Sequence, residues 1–324
     1  VCTLAVCVAV IFVVSLSTGD QPLPPTLVFT TLYSPGEADF AVHLIVAEIR
    51  LPSALMALLV GAALAVAGLI AQAVMRNPLA EPGLLGINSG AALAALVVLV
   101  HLKWTAPEIV SGAAFAGALL LTAIVYVLSW KNGLSSMRII LIGIGLNALA
   151  GAATSFVSAF GDITSVQNAQ VWLAGSLYNA GWPEVRLLFA WLIPVFTVTA
   201  LCVRQLDLML FDDTTARGLG ARTQAVKGML VLLCALISGA AVAAAGLIVF
   251  VGLIAPHISR RLVGYRHGRT LPVTILVGAL LVSCADLLGR TVIAPAQLPA
   301  GLMTILIGAP FFGFLLWERR NVRG

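Results

Sequence analysis

The run Leu51–Met75 holds 25 residues without a single charge, and it is one of a series. Crossing the hydrocarbon layer of a bilayer takes about 20 apolar residues in a helix. Lipid offers no partner for backbone N–H and C=O groups, so only helices and closed barrels satisfy them internally. Similar runs recur at 82–102, 109–130, 139–160, 187–203, 271–288 and 298–317. Their length suits helices and is roughly twice the 9–11 residues of a membrane strand. The chain is therefore restricted to an all-α membrane bundle. Composition agrees: 60% of the 324 residues are hydrophobic and 10% are charged, against about 25% charged in soluble domains.

In chain order, residues 1–19 are apolar and uncharged. They read as a first helix or as a secretory signal, since Ser15-Leu16-Ser17 loosely resembles a cleavage site. Residues 20–50 are polar and carry Asp20, Glu37, Asp39 and Glu48. Leu51–Met75 places Gly61, Ala65 and Gly68 close to one face, which permits tight helix packing. Arg76-Asn77-Pro78 breaks it. The span at 139–160 has a small, polar face of Gly143, Gly145, Asn147, Gly151, Thr154, Ser155 and Ser158. Residues 166–177 suggest an amphipathic helix on the outer surface, with Trp172 and Trp182 at interface depth.

Residues 228–259 carry no charge, too long a run for one crossing and short for two. Lys227 and Arg260-Arg261 bracket it. If both brackets are cytoplasmic, the run is a hairpin turning near Gly246, with a short second limb to Pro256. Ten crossings with both termini inside then leave only Arg50, Lys103, Arg186 and Arg290, of 18 Lys and Arg, at or near the outside. That distribution follows the positive-inside rule. A weak internal echo links LLVGAALAVAG (58–68) with ILVGALLVSCAD (275–286), two runs that cross in opposite directions, as inverted repeats do.

Several functions are disfavoured. There is no GxxxxGK[ST], HExxH or GxSxG pattern, so ATP chemistry would belong to another chain and a membrane enzyme lacks its machinery. The five cysteines have no paired spacing and predict neither disulfides nor a metal site. The net charge of +5 is spread over loops and does not suggest nucleic acid. An ion-driven secondary transporter would want buried carboxylates or broken helices at mid-membrane. Asp286 is the sole candidate, and Arg290, four residues on along the same face, can neutralise it. His257, beside Arg260 and Arg261, reads as a structural residue of a cytoplasmic end rather than a metal ligand.

The polar island is 204–227, RQLDLMLFDDTTARGLGARTQAVK, with Asp207, Asp212, Asp213, Arg217 and Arg222. Leu208, Leu210, Phe211 and Leu219 interleave with the charges. Gly218 and Gly220 allow a sharp turn. Asp212 or Asp213 can cap a helix starting near Thr214. Such an island predicts a cytoplasmic docking surface for a soluble protein.

Four blocks, RLPSALMALLVGAALAVAGLIAQAVMRNPLAEPGLLGINSGAALAAL, DDTTARGLGARTQ, GLIVFVGLIAPHISRRLVG and LPVTILVGALLVSCADLLGR, resemble the FecCD/BtuC family of importer permeases. WKNGLSSMRIILIGIG further resembles the ferric-enterobactin type. The resemblance implies a BtuC-like permease fold filling 1–324 as one domain of about ten helices in the cell inner membrane. It implies no cofactor on this chain, a second permease, identical or homologous, two ATPase subunits that bind ATP and Mg, and a soluble or lipid-anchored binding protein. The cargo it implies is a ferric siderophore, by the last block a catecholate, with haem or cobalamin as alternatives. Coupling helices would lie at about 207–223, with Asp212, Asp213, Thr214, Thr215, Ala216, Arg217, Gly218, Leu219 and Gly220 meeting the ATPase. Gly143, Asn147, Gly151, Thr154, Ser155 and Ser158 would line the translocation path. Arg50, Ser53 and Arg290 would receive the binding protein. The family motif RLPR reads RLPS here, so Ser53 replaces one expected cation.

Overall fold

The computed structural model describes residues 1–19, 21–34, 39–178, 180–294 and 296–321, without the side chains of 318–321. Asp20 and Glu37 of the acidic outer segment, and the closing cations Arg319, Arg320 and Arg323, fall outside what is described. No strand forms among the described residues. Among the described residues, seven helices are long and apolar enough to cross a bilayer, and Cys2–Ser17 and Ile87–Leu102 are shorter apolar helices. A half-length helix at Val251–Val263 completes the ten expected segments.

Helix α1 (Cys2–Ser17) packs beside the ninth span, and α2 (Pro25–Tyr33) lies in the outer segment. The first long span starts earlier than its charge pattern suggests. Asp39 caps α3 (Phe40–His43) by accepting from the Ala41 N–H at 3.0 Å. The chain then continues without a break through a π-helical stretch, Leu44–Arg50, into α4 (Leu51–Met75). The polar residues of 40–50 ride on helix rather than loop. Helix α4 is the centre of the bundle, buried along most of its length.

After α4 the chain makes a 3-10 turn at Pro82–Leu85 and returns through α5 (Ile87–Val97). Helices α6 (Pro107–Ser129) and α7 (Ser136–Ala159) follow. The outer helix expected at 166–177 forms as α8 (Ile163–Leu173). It begins early because Asp162 accepts from the Ser165 N–H at 3.0 Å, and Gly175 at φ +69° lies just beyond its end. The sixth span is α9 (Trp182–Leu201), which starts before the expected 187. Short helices α10 (Val203–Leu208) and α11 (Asp213–Gly218) fill the polar island.

The uncharged run at 228–259 is a hairpin. Helix α12 (Thr223–Ala245) ends at Gly246, whose φ of +72° favours glycine. Residues 246–250 are unwound, and α13 (Val251–Val263) descends from Phe250. The second limb runs past Pro256 because the loss of one helical bond there is made good. Pro256 has no N–H, which frees the Gly252 carbonyl. Gln72 Nε2 donates to that carbonyl at 3.3 Å, and Gln72 Oε1 accepts from Arg260. Helices α14 (His267–Thr291) and α15 (Ala300–Asn321) close the bundle.

The small residues of α4 are used as the sequence suggests. A Cβ on Gly61 would lie 2.3 Å from the Gly278 carbonyl oxygen, and one on Gly278 would lie 2.3 Å from that of Gly61. Gly68 meets Gly252 of α13 in the same way, at 1.9 Å. Gly61 and Gly278 occupy the same place in the two echoing runs, each within Val-Gly-Ala. The echo therefore marks the crossing point of α4 and α14.

Candidate functional site

The polar island is fastened to the bundle by its own acids. Asp213 Oδ1 pairs with Arg76, and Asp213 Oδ2 pairs with Lys227 Nζ at 2.8 Å. Arg76 Nε also donates to the Met209 carbonyl at 3.1 Å. Asp207 Oδ1 accepts from the His267 N–H and meets His267 Nδ1, both at 2.8 Å. One short segment is thus tied to the C-terminal end of α4 and the N-terminal ends of α12 and α14. Arg76 itself takes φ +48°, an uncommon conformation for a non-glycine residue, at the break that ends α4.

Asp212 is the N-cap of α11. Its carboxylate accepts from the Thr214 hydroxyl and from the Thr215 N–H, and these bonds hold its pKa down at about 2. Asp213 follows a different balance: burial pushes its pKa up, but Lys227 and Arg76 outweigh it and hold the carboxyl below its ordinary value. Ala216 is buried, while Thr214, Thr215, Arg217, Gly218, Leu219 and Gly220 are exposed. Gly220 makes the turn at φ +84°. The island therefore has a pinned inner side and an open outer side.

On α7, Gly143, Asn147, Gly151, Thr154 and Ser158 form one stripe about 80° wide at 100° per residue. Its N-terminal half faces inward. A Cβ on Gly143 would lie 1.9 Å from the Leu84 carbonyl oxygen, and Asn147 Nδ2 donates to the Gly83 carbonyl at 2.9 Å. Gly151 and Ser155 are exposed, and Thr154 and Ser158 are half-buried. The three hydroxyls of Thr154, Ser155 and Ser158 all donate back to carbonyls of α7 itself, at 2.8, 3.1 and 3.0 Å. Helix α7 buries only Ile139, Gly143 and Ala150.

Arg50, Ser53 and Arg290 come together around one cavity of about 230 Å³, with Tyr178 and Gln297 also lining it. Neither arginine is the open, snorkelling cation that an outer helix end suggests: Arg50 is 6% exposed and Arg290 8%. Arg50 donates to the Leu16 carbonyl at 2.9 Å and to that of Gln21. Arg290 pairs with Asp286 at 2.7 Å, as their spacing predicts, and donates to Ser15 Oγ. Ser15 and Leu16, the stretch that loosely resembles a cleavage site, are buried where the two arginines hold α1. His257 packs edge-on against Phe311, ring centroids 6.0 Å apart.

The charge pattern identified the island but neither its anchors nor the support of α13. Gln72, Arg76 and His267 lie 60 to 188 residues from their partners Gly252, Arg260, Asp213 and Asp207. A glutamine in an otherwise apolar span and a proline one turn into another were the available signals.

The profile of the FecCD transport family matches residues 7–318. The chain belongs to the FecCD transport family. The achromobactin transport system permease protein of Dickeya dadantii (strain 3937) is 44% identical over 97% of this chain and 90% of its own. The hemin transport system permease protein of Yersinia pestis is 40% identical over 92% of this chain and 90% of its own. A solved structure of a metal-chelate type ABC transporter in an inward-facing conformation superposes with a TM-score of 0.87 at 29% identity, covering 98% of both chains. This FecCD chain is accordingly a multi-pass membrane permease of an ABC importer. It is the transport component rather than an enzyme, and ATP is hydrolysed on a separate subunit. FecCD permeases work with ATPase and binding-protein partners.

Proposed function

We propose that residues 1–324 act as one permease domain and form half of a two-permease importer of a ferric siderophore in the cell inner membrane, both termini cytoplasmic. Two ATPase subunits drive it from below and a binding protein delivers the cargo from outside. The observation that carries the reading is the fastening of 207–223 to α4, α12 and α14 through Asp207 and Asp213. A surface pinned on one side to the packed bundle and open on the other passes a push from the ATPase into the helices. Asp212 and Asp213 shape that surface, Ala216 seats it on the bundle, and Thr214, Thr215, Arg217, Gly218, Leu219 and Gly220 present it.

The sparsely buried α7 supports a path between two permeases. Gly151, Thr154, Ser155 and Ser158 offer it hydroxyls already bonded to their own helix, hence weak contacts for a large solute. Gly143 and Asn147 position α7 on the Pro82–Leu85 turn rather than line the path. The arginine cavity supports docking of an acidic side chain of the binding protein beside Arg50, Ser53 and Arg290. Relatives named for achromobactin and hemin transport support a chelated iron as cargo, and the block WKNGLSSMRIILIGIG favours a catecholate over haem or cobalamin.

Reconstitution with candidate binding proteins tests this. ATP-driven uptake of a ferric catecholate is expected, lost in Arg217→Glu although the ATPase still turns over. Screening weakens charge pairs, so uptake falls along a salt series, and Ser53→Arg shifts that fall to higher salt. Uptake without ATP or binding protein overturns the importer reading. Preferential uptake of haem or cobalamin overturns only the cargo.

A further inference from the structure

Glu81 lies between α4 and α5, outside the island, the α7 stripe and the arginine cavity. It is the N-cap of the Pro82–Leu85 turn and is half-buried. Its carboxylate accepts a hydrogen bond from the Phe250 N–H. Phe250 is in turn the N-cap of α13, at φ +68°, and gives α13 no side-chain cap. A left-handed conformation is uncommon for a bulky residue and persists where the surroundings over-determine it. Here Glu81 holds the amide, and the side chain lies against α15, where a Cβ on Gly308 would come within 2.4 Å of Phe250 Cβ. The unwound backbone before α13 is thus closed by an acid from another element, at a helix end whose free N–H groups favour negative charge. Pro82 follows the acid onto α13: a Cβ on Gly252 would lie 2.9 Å from Pro82 Cδ.

The other side of the same turn carries α7. The Leu84 carbonyl oxygen fills the space of a Gly143 side chain, and the Gly83 carbonyl accepts from Asn147 Nδ2 at 2.9 Å. The turn is braced within itself, with the Leu84 N–H donating to the Glu81 carbonyl at 3.1 Å and the Gly86 N–H to that of Gly83 at 3.0 Å. At its far end α13 reaches the fastening of the island. Its 13 residues rise about 20 Å. Beyond Val263, the Gly264 carbonyl accepts from Thr270 Oγ1 at 2.8 Å in the first turn of α14, where His267 is bonded to Asp207. One short helix therefore stands between the fastening of the island and the seat of α7.

We propose that Glu81 is a positioning residue for transport: its carboxylate holds the N-terminal end of α13 to the Pro82–Leu85 turn, so that a displacement of α13 is delivered to α7. Packing of Pro82 on Gly252 resists compression and can only push. The hydrogen bond to the carboxylate also pulls, so the turn follows α13 in both directions of the cycle. The proposal rests on the reading of α7 as the path helix.

The test uses the full chain assembled with its ATPase and binding protein, with transport per ATP as the readout. Wild-type ATP-driven uptake tests the importer reading, and the variants, taken as ratios to wild type, test Glu81. Glu81→Ala is expected to lower transport per ATP about tenfold, the worth of one hydrogen bond to a charged group, and Asn147→Ala about fivefold, nearer that of a neutral one. Residues on one linkage are not additive, so the double variant is expected to lose no more than Glu81→Ala alone. Glu81→Gln keeps an oxygen acceptor and is expected to restore most of the ratio. Glu108→Gln, at an exposed glutamate in the first turn of α6, leaves it unchanged. Losses that multiply to about fiftyfold in the double variant make Glu81 a cap of α13 alone and overturn the proposal, as does a Glu81→Gln no better than Glu81→Ala or an equal fall in Glu108→Gln. Hydrogen exchange in the wild-type complex decides the matter even if Glu81→Ala does not assemble. On binding a non-hydrolysable ATP analogue, the Phe250 and Leu84 amides are expected to change protection together. A change at one without the other overturns the linkage.

Discussion

Lys227 Nζ sits 2.8 Å from Asp213 Oδ2 with its side chain 2% exposed, so the charge of a helix α12 lysine is neutralised by the first residue of α11. Asp213→Ala leaves that ammonium with the Leu134 carbonyl at 3.1 Å as its one remaining partner among those described. A hydrogen bond to a charged group is worth roughly 1.5–3 kcal/mol, and a loss of that order is expected in thermal unfolding of the purified complex. Basal ATPase activity persists while transport per ATP falls. Lys227→Met in the same background restores part of the stability, because it removes the stranded charge.

The glycine crossing admits no side chain. Gly61→Val or Gly278→Val places a Cβ within van der Waals radii of the opposing backbone, and the helices must part. Overpacking of this kind costs about 1–3 kcal/mol or more. Detergent thermal unfolding is expected to show the loss. Gly145→Ala, with nothing within 4 Å of its Cβ position, is the neutral comparison.

Gln72→Leu keeps the volume of the side chain and removes the donor to Gly252. An unpaired buried carbonyl costs roughly 1–3 kcal/mol. Faster hydrogen exchange in α13 than in α12 is the expected readout, and an unchanged pattern would show that Pro256 needs no such support.

Acid should loosen α11 before the spans. The folded pKa of Asp212 is about 2, below its ordinary 3.8. The cap therefore contributes fully above pH 3.8 and is lost as pH falls toward 2. Exchange at the Thr215 amide should rise over that window in the wild type. In Asp212→Asn, which caps without titrating in that range, the window should disappear.

Topology follows from the hairpin. In a background without native cysteines, thiols at positions 131 and 268 are expected to react with an impermeant reagent only after the cytoplasmic side is opened. A thiol at position 180 is expected to react from outside. Labelling of 268 in intact cells would break the crossing count.

The spans were legible because bilayer length and absence of charge are local properties, and Lys227 with Arg260-Arg261 fixed the hairpin by parity alone. The early start at Phe40 was not, since Asp39, His43 and Glu48 look like loop until a cap at Asp39 makes them the first turns of α3 and the π stretch. The burial of Arg50 and Arg290 was equally hidden. Their acceptors, the Leu16 carbonyl and Ser15, belong to α1, 34 and 275 residues away, and a helix-end arginine gives no local sign of which way it turns. The island's composition pointed to a docking surface, yet the two aspartates that hold it look no different in sequence from the one that caps it.

Where α4 and α14 cross, Gly61 and Gly278 bring the two backbones together with no side chain between them. Backbone against backbone leaves nothing to compress at that point, so the distance between the two helices is fixed there, and any change in their angle would carry the ends at Arg76 and His267 one way and the ends at Arg50 and Arg290 the other.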